Sequence, residues 1–576
     1  MKQPVPTDSS LPLRLADFAT VTEALDYAAQ GTSGLNFYSG KGDLAEALSY
    51  RDLRDQALDL GRRMLRAGLA RGERVALIAE TDGDFLRAFY ACQYAGLIPA
   101  PMPLPAAFGG KEAYIDHIRR MIRSAGATAA FAPAFLAEWL ALAVDGLGLK
   151  ASGTLDLFRD VPAGGIDLPP VSADAFAYLQ FSSGSTRFPM GVAVTQAALM
   201  TNCRGITRHG LQVRPGDRCV SWLPLYHDMG LVGFTLAPIT SQLTVDFLPT
   251  REFARRPLLW LQLLTRNGGT LSYSPTFGYE LAARRAETAS TEDLDLSGWR
   301  VAGIGGDMVR PRVMAKFADS FAARGFRAEA FVASYGMAEA TLALSFAPLE
   351  TGIRTDTVDL DRLEDAHLAE RPGPTALRQR DFVLCGAPLP EHEIVVRGEN
   401  GAPLGEREVG RIFARGPSLM QAYFGHPEET AACLSDDGWL DTGDLGYCVD
   451  GQIVITGRAK DLILVNGRNI WPQDLEWTAE TQIESLRSGD VAAFGVDDGG
   501  TDMVIVLVQC RPTQAEPRDA LRTQVAGVLR SSHGVEARII LVPPHALPQT
   551  SSGKLSRSRA KQMYVRGDFD PAPATA

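Results

Sequence analysis

The chain has 576 residues, 45% of them hydrophobic, too many for one compact core and apolar enough to fill two or more domains. A net charge of −11 and an isoelectric point near 5.4 leave no basic excess to neutralise phosphates, which argues against nucleic acid or an anionic membrane surface as the main partner. Seven cysteines are scattered and never spaced Cys-x-x-Cys, the pattern of reduced packing thiols and of neither a disulfide framework nor a zinc site.

The first residues, Met-Lys-Gln-Pro-Val-Pro-Thr-Asp, carry no apolar run behind a positive region. No secretory leader is expected, and the cytoplasm is the expected compartment. Leu53, Ala57, Leu60, Met64 and Ala67 recur at helical spacing, predicting an amphipathic helix over 49–68 closed by glycine. Residues 74–79 read as a strand, 84–96 and 114–126 as helices and 128–132 as a strand, so the first half is α/β. The uncharged stretch 88–110 contains Pro99, Pro101, Pro103 and Pro105. A membrane helix would break there, and the stretch reads as a buried helix leading into an extended connector.

Tyr178 to Phe181 reads as the end of a buried strand, which breaks into a loop of Ser182, Ser183, Gly184, Ser185 and Thr186. Gly184 admits positive φ, so backbone amides can turn toward an anion while the hydroxyls add neutral donors. The loop is therefore either a phosphate cradle or an ordinary polar turn. A strand is expected over 217–223, followed by Pro224-Leu-Tyr-His-Asp-Met-Gly230 and an uncharged run, 229–245. The run reads either as the lining of a deep apolar pocket or as a core helix. His227 beside Asp228 is either an acid–base pair or a packing histidine.

Short strands are expected over 271–275, 301–304 and 328–334, each followed by a glycine-containing loop. The most distinctive loops are Gly303-Ile-Gly305-Gly306-Asp307 and Ser334-Tyr335-Gly336-Met337-Ala-Glu339. Such exits place a site at the carboxyl ends of parallel strands, with Glu339 the nearest metal-ligand candidate. Residues 350–380 are charged and turn-rich and read as a surface insertion. Asp450-Gly451 joins two strands as a hairpin, and Gly457-Arg458-Ala-Lys460-Asp461 is the expected domain boundary. Beyond it, a strand over 462–465, strands over 491–496, 503–510 and 537–542 and a helix over 518–529 predict a small α+β unit. It ends in a basic loop, 548–557, and a Pro/Ala tail expected to be disordered.

Five separated motifs appear in order: Phe181-Ser-Ser-Gly-Ser-Thr, Ser334-Tyr-Gly-Met-Ala-Glu, Asp441-Thr-Gly-Asp444, Gly457-Arg458 and Pro548-x-Thr-x-Ser-Gly-Lys554. Together they resemble the core motifs of the adenylate-forming superfamily of acyl-CoA synthetases, peptide-synthetase adenylation domains and luciferases. Within it, Ser-Gly-Ser-Thr-Arg187, Trp222-Leu-Pro-Leu-Tyr-His-Asp-Met-Gly-Leu231, Ser334 to Leu342 and Val465 to Glu476 resemble the fatty acyl-AMP ligases. The segment near 350–380 falls where that branch carries an insertion thought to hinder CoA-competent movement of the small domain.

The resemblance implies a multidomain α/β and α+β fold. A large N-terminal adenylation domain, 1–457, would have two α/β subdomains and a β-rich one, and a small mobile α+β domain would span 458–576. It implies ATP and Mg²⁺, a medium- or long-chain fatty acid, and a separate acyl carrier protein whose phosphopantetheine thiol takes the acyl group. Carried over by motif position, Lys554 would bridge carboxylate and α-phosphate and Glu339 would hold Mg²⁺. Asp444 would accept the ribose hydroxyls beside Arg458, and Tyr335 would stack on adenine beside Gly305, Gly306 and Asp307. Trp222, His227, Met229 and Gly230 would wall the acyl pocket, and Lys460 would lie at the hinge. One departure is Met190, where many superfamily members have lysine; the acyl-AMP ligase branch often lacks that lysine. The same motifs also suit a fatty acyl-CoA synthetase, or a non-catalytic nucleotide- or lipid-binding relative.

Overall fold

The computed structural model describes residues 3–7, 11–105, 110–181, 190–465, 468–497, 502–511, 514–550 and 554–569. The helix expected over 49–68 runs Tyr50–Arg66. The Ser49 hydroxyl caps it by accepting the Asp52 N–H at 3.0 Å, and Leu53, Ala57 and Met64 form its buried face. It packs along Gly83–Ala95, which Asp82 caps in the same way. That helix in turn lies on a parallel sheet ordered Ile98–Met102, Arg74–Ile78, Ala127–Phe131, Ala151–Gly153. The stretch expected to be an extended connector is thus a strand, Ile98–Met102, at the sheet edge. Pro99 and Pro101 lack an N–H, and an edge strand has only one neighbour to satisfy.

The larger sheet has nine strands, ordered Ala387–Pro388, Ala343–Phe346, Phe331–Gly336, Val301–Ile304, Leu271–Ser274, Arg218–Ser221, Thr244–Phe247, Gly34–Tyr38 and Leu44–Ser49. Its central strands are parallel, so their carboxyl ends open on one side. The strand expected over 328–334 starts only at Phe331, after a 3₁₀ turn at Ala328–Ala330, and runs on to Gly336. Ser334 and Tyr335 stay extended because they pair antiparallel with Phe346 and Ser345. At the amino ends of the sheet, Arg300 is buried against Asp217 at 2.6 Å and Arg218 against Asp246 at 2.7 Å. With its charges paired, that end is closed, and chemistry belongs at the other.

A third sheet pairs Phe176–Phe181 with Gly191–Thr195, and Ala422–Tyr423 joins the latter. The expected phosphate loop, with Ser182, Ser183, Gly184, Ser185 and Thr186, lies between them and outside the described residues. A four-stranded antiparallel sheet contains Leu440–Val449 and Gln452–Arg458, joined at Asp450 and Gly451, whose φ values of 50° and 71° suit a tight hairpin.

Residues 350–380 are more than a surface loop. Thr355–Asp359 pairs with Gln379–Val383, and Leu360–Ala366 is helical between them. Val358, Leu360, Leu363 and Phe382 are buried with Tyr447 and Trp471. Too few apolar residues recur at one spacing to show this in sequence, because the segment completes its core with side chains from elsewhere. From Ile463 onward a separate apolar cluster forms around Pro472–Gln482, Val491–Asp497, Asp502–Gln509, Ala515–His533 and Ala537–Val542. The basic loop expected over 548–557 gives way at its end to a helix, Arg557–Val565, anchored by buried Ala560. None of the seven cysteines is in a disulfide, and five of them are buried. Among the described residues, no helix is long and apolar enough to cross a membrane.

Candidate active site

The described residues on either side of the basic loop pair with each other: Thr550 N–H donates to the Lys554 carbonyl at 2.7 Å and Ser556 N–H to the Pro548 carbonyl at 2.9 Å. This directs Lys554 Nζ onto the carbonyl of Gly306, in the loop after Val301–Ile304. Gly306 has φ 81°, and a Cβ there would lie 3.0 Å from Met229 Sδ and 3.3 Å from Lys554 Nζ. Glycine is thus required twice, by conformation and by space. Burial pulls the Lys554 ammonium below the ordinary lysine range, opposed by the carboxylates of Asp307 and Asp228. Those two carboxyls are pushed up by burial and pulled back by Lys554. Asp307 is also fixed by the Thr276 N–H and hydroxyl, 3.1 and 3.2 Å from its Oδ1.

A cavity of about 540 Å³ opens on Gly306, Asp307, Tyr335, Asp444, Arg458 and Lys460. Asp444 is buried in the middle of the strand Leu440–Val449, with Tyr335 OH donating to Oδ2 at 2.8 Å and Arg458 Nε 3.2 Å from Oδ1. Tyr335 therefore orients the acid besides presenting a ring, a contact invisible in sequence because 109 positions separate the pair. Burial pushes the Asp444 carboxyl up, and Arg458 and the tyrosine hydroxyl pull it down. Gly305 and Gly336 border the neighbouring cavity, and Ser334 Oγ donates to the Ile304 carbonyl at 3.3 Å.

Glu339 is 7% exposed, and its Oε1 accepts from Tyr423 OH at 2.8 Å. Tyr423 is a second residue that sequence reasoning missed; its strand pairs with Val192 and Ala193, just beyond the phosphate-loop position. Among the described residues, no group of three or more His, Cys, Asp or Glu side chains is arranged to hold a metal. A lone buried carboxylate suits Mg²⁺ held mainly by phosphate oxygens and water, and does not suit a dedicated protein cage.

A larger cavity, about 740 Å³, shares Gly306, Ser334, Tyr335, Gly336, Arg458 and Lys554 with the first. Away from this junction it becomes apolar. His227, Met229, Gly230 and Gly233 line it from the π-helical segment Met229–Leu236 and the turn before it, and Ile206 and Leu211 line it from around a second π-helical segment, Gly205–Gly210. The run 229–245 is thus both pocket and core, since Leu231, Val232 and Leu236 are fully buried. A π-helix widens the turn, a common feature at functional sites. Met337 borders the same space. Trp222 borders it too but is anchored in the core, 1% exposed and stacked on Phe253 at 3.8 Å. Tyr273, Leu342 and Phe346 are walls without a sequence signal, because strands and loops distant in the chain bring them together.

The segment around 350–380 grips the C-terminal unit. Glu364, 1% exposed, accepts from Arg378 at 2.7 Å and from Arg468 at 2.6 Å, and Arg380 is ion-paired with Asp474 at 2.5 Å. Arg310 adds a contact to Glu480 at 3.2 Å, and burial pushes that carboxyl up to about 8. His533 sits in the same contact, its Nε2 2.8 Å from Thr478 Oγ1, and burial with Arg378, Arg380 and Arg468 pushes it down to about 4. A histidine held neutral in the fold but protonated when unfolded loses stability as pH falls from about 6.5 toward 4. The His533→Gln variant is expected to lack that part of the acid-side loss, about 3 kcal/mol at full extent. Urea melts of both proteins at pH 7 and pH 4.5 check this; equal pH slopes would refute it.

A family model of AMP-binding enzymes matches residues 25–424. The chain is 58% identical over 98% of both lengths to a Caulobacter vibrioides protein whose name provisionally places it among acyl-CoA synthetases. It is 30% identical, over 96% of each chain, to JamA of Moorena producens, named as a medium-chain-fatty-acid–[acyl-carrier-protein] ligase. A solved structure from a study of fatty acyl-adenylate ligases of E. coli and L. pneumophila superposes with a TM-score of 0.92 at 43% identity, covering 97% of this chain and all of that one.

Proposed function

Because this chain belongs to the family of AMP-binding enzymes, we propose that it joins a medium- or long-chain fatty acid to AMP and then passes the acyl group to the phosphopantetheine thiol of a separate acyl carrier protein. One observation carries the first step: Lys554 reaches the Gly306 carbonyl where the two cavities meet. A chain in the larger cavity would present its carboxylate at the junction, and a nucleotide in the smaller one would present its α-phosphate there.

A fatty carboxylate is ionised at neutral pH and needs no general base. Its oxygen attacks the α-phosphorus, the bond to the β-phosphate bridging oxygen breaks, and pyrophosphate leaves. Lys554 neutralises the charge gathered at phosphorus, and its position on a flexible stem suits a cation delivered by a moving unit. Asp444, already oriented by Tyr335 and Arg458, accepts the ribose hydroxyls, and the Tyr335 ring covers adenine beside Gly305, Gly306 and Asp307. Glu339, steadied by Tyr423, would hold Mg²⁺ on the phosphates, where the ion supplies positive charge. We read 1–457 as the body and 458–576 as the moving domain, with Lys460, in the 3₁₀ turn Ala459–Asp461, at the hinge. Lys460→Pro is expected to spare acyl-AMP formation and to slow thioester transfer about tenfold or more; equal loss of both steps in single-turnover assays would refute the hinge.

In the second step the thiol attacks the acyl carbonyl and AMP leaves. The buried contacts of Glu364 and Asp474 support a carrier protein as acceptor, since they resist the rotation that a CoA-competent site requires, and JamA carries the name of such a ligase. The name of the Caulobacter relative favours a second reading, with CoA as acceptor. A panel of fatty acids assayed for acyl-AMP, then chased with CoA or with phosphopantetheinylated carrier protein, decides between them. Rapid acyl-CoA formation would sink the first reading, and no acyl-AMP with any fatty acid would sink both.

A further inference from the structure

We propose that Thr341 is a positioning residue: the strained turn it makes sets Glu339, toward the phosphates, and Leu342, on the acyl side, on one stiff ribbon that aligns the two substrates; this rests on the adenylation reading above. Thr341 has φ 69° and ψ −55°, and the Leu342 N–H donates to the Ala340 carbonyl at 2.8 Å. That is the γ-turn of positive φ, a rare and strained form. A β-branched residue in it is an outlier, where glycine would sit without strain. Such a conformation persists only where its surroundings over-determine it.

The surroundings do so along one side of the ribbon. Met420 N–H donates to the Glu339 carbonyl at 2.7 Å, and Thr341 Oγ1 donates to the Ser418 carbonyl at 2.7 Å. Asn202 grips Ala343 at both backbone groups, accepting its N–H at 3.0 Å and donating to its carbonyl at 2.8 Å. The same amide donates to Ser418 Oγ at 3.0 Å. His392 fixes the serine from the far side. Its Nδ1 donates to the Pro390 carbonyl at 2.9 Å, and burial disfavours the charged ring, so Nε2 accepts the Ser418 hydroxyl at 2.6 Å. Asn202, Thr341 and Ser418 are fully buried. From the strand Phe331–Gly336, a Cβ at Gly336 would collide with the Leu342 carbonyl, which shows how closely that strand backs the turn.

The turn divides two tasks. Before it, Glu339 accepts from Tyr423 OH at 2.8 Å. After it, Leu342 walls the larger cavity, with Cδ2 3.2 Å from the place a Cβ on Gly233 would take. Only three positions separate the two residues. Relaxing Thr341 to a negative φ would swing one against the other, because rotation at the centre of a turn redirects the chain on either side. The attacking oxygen must meet phosphorus within about 3–3.5 Å and in line, so misalignment costs rate more steeply than it costs binding.

Thr341→Gly, which tolerates the same φ but lacks the hydroxyl and the stiffness, and Thr341→Ser, which keeps the hydroxyl, test this in the full chain. Thr341→Gly is expected to lower the turnover number for acyl-AMP about tenfold or more, with the Michaelis constant for fatty acid within about twofold and the melting temperature close to wild type. Mn²⁺, standing for Mg²⁺, reports on Glu339 without turnover: in paramagnetic resonance titrations with ATP and no fatty acid, Mn²⁺–ATP affinity should fall about threefold or more, while metal-free AMP binds within about twofold of wild type. Thr341→Ser should recover most of both losses. Wild-type turnover and Mn²⁺–ATP affinity in Thr341→Gly would overturn the proposal. So would a Thr341→Ser as impaired as Thr341→Gly, or a uniform fall in turnover, AMP affinity and melting temperature, which marks a residue serving the fold alone. A wild-type chain that makes no acyl-AMP while Thr341→Gly still loses Mn²⁺–ATP affinity would refute fatty-acid adenylation and support the positioning of Glu339.

Discussion

Lys554→Ala is expected to lower acyl-AMP formation by about two to three orders of magnitude, the cost of removing one preorganised charge from the reacting centre. The lysine touches the Gly306 carbonyl at the junction of the two cavities, so its loss affects the transition state more than either ground-state substrate. The Michaelis constants for ATP and fatty acid should therefore change far less than the turnover number. Lys554→Arg is not expected to restore the rate, because a planar fork cannot occupy the space that Gly306 leaves for one ammonium. ATP–pyrophosphate exchange measures the first step, and transfer from chemically made acyl-AMP measures the second. A second step reduced as severely as the first would show that Lys554 serves the fold or the docking of its unit and not the chemistry at phosphorus.

Glu364→Ala is expected to change the acceptor. The carboxylate is nearly solvent-free and binds Arg378 within its own segment and Arg468 across the contact. Removing it leaves Arg468 without its carboxylate and Arg378 with Asp361 alone, at a cost of up to about 3–5 kcal/mol for a buried pair. The loss falls on the arrangement that keeps Lys554 at the Gly306 carbonyl, so alternative orientations of the C-terminal unit gain population. CoA-dependent thioester formation should rise about tenfold or more, and acyl-AMP should accumulate less. Arg468→Ala removes only the crossing contact and leaves Glu364 with Arg378. It should show the same trend with a smaller loss of thermal stability. If both variants are less stable yet take CoA no faster, the contact contributes stability without gating the acceptor.

Both expectations concern residues that differ in how they can be read. Lys554 sits in a linear motif, Pro548-x-Thr-x-Ser-Gly-Lys554, whose glycine, hydroxyls and lysine state their chemistry locally. Glu364 looks like one acid among several in a charged, turn-rich stretch. Its partner across the contact, Arg468, lies 104 positions away. No local periodicity encodes such a partner. The same holds for Tyr423 on Glu339 and for the Tyr335 hydroxyl on Asp444.

The sequence by itself determined the α/β order of the first half, the glycine loop at the carboxyl end of Val301–Ile304, the Asp450-Gly451 hairpin and the class of chemistry. Each of these rests on short-range physics: turn residues, side-chain alternation and donors gathered within a few positions. Tertiary structure alone decided that Ile98–Met102 is an edge strand, that 229–245 is pocket on one side and core on the other, and that 350–380 clasps the C-terminal unit. Those outcomes depend on which surfaces meet, and burial is a property of the pair that meets and not of either stretch alone.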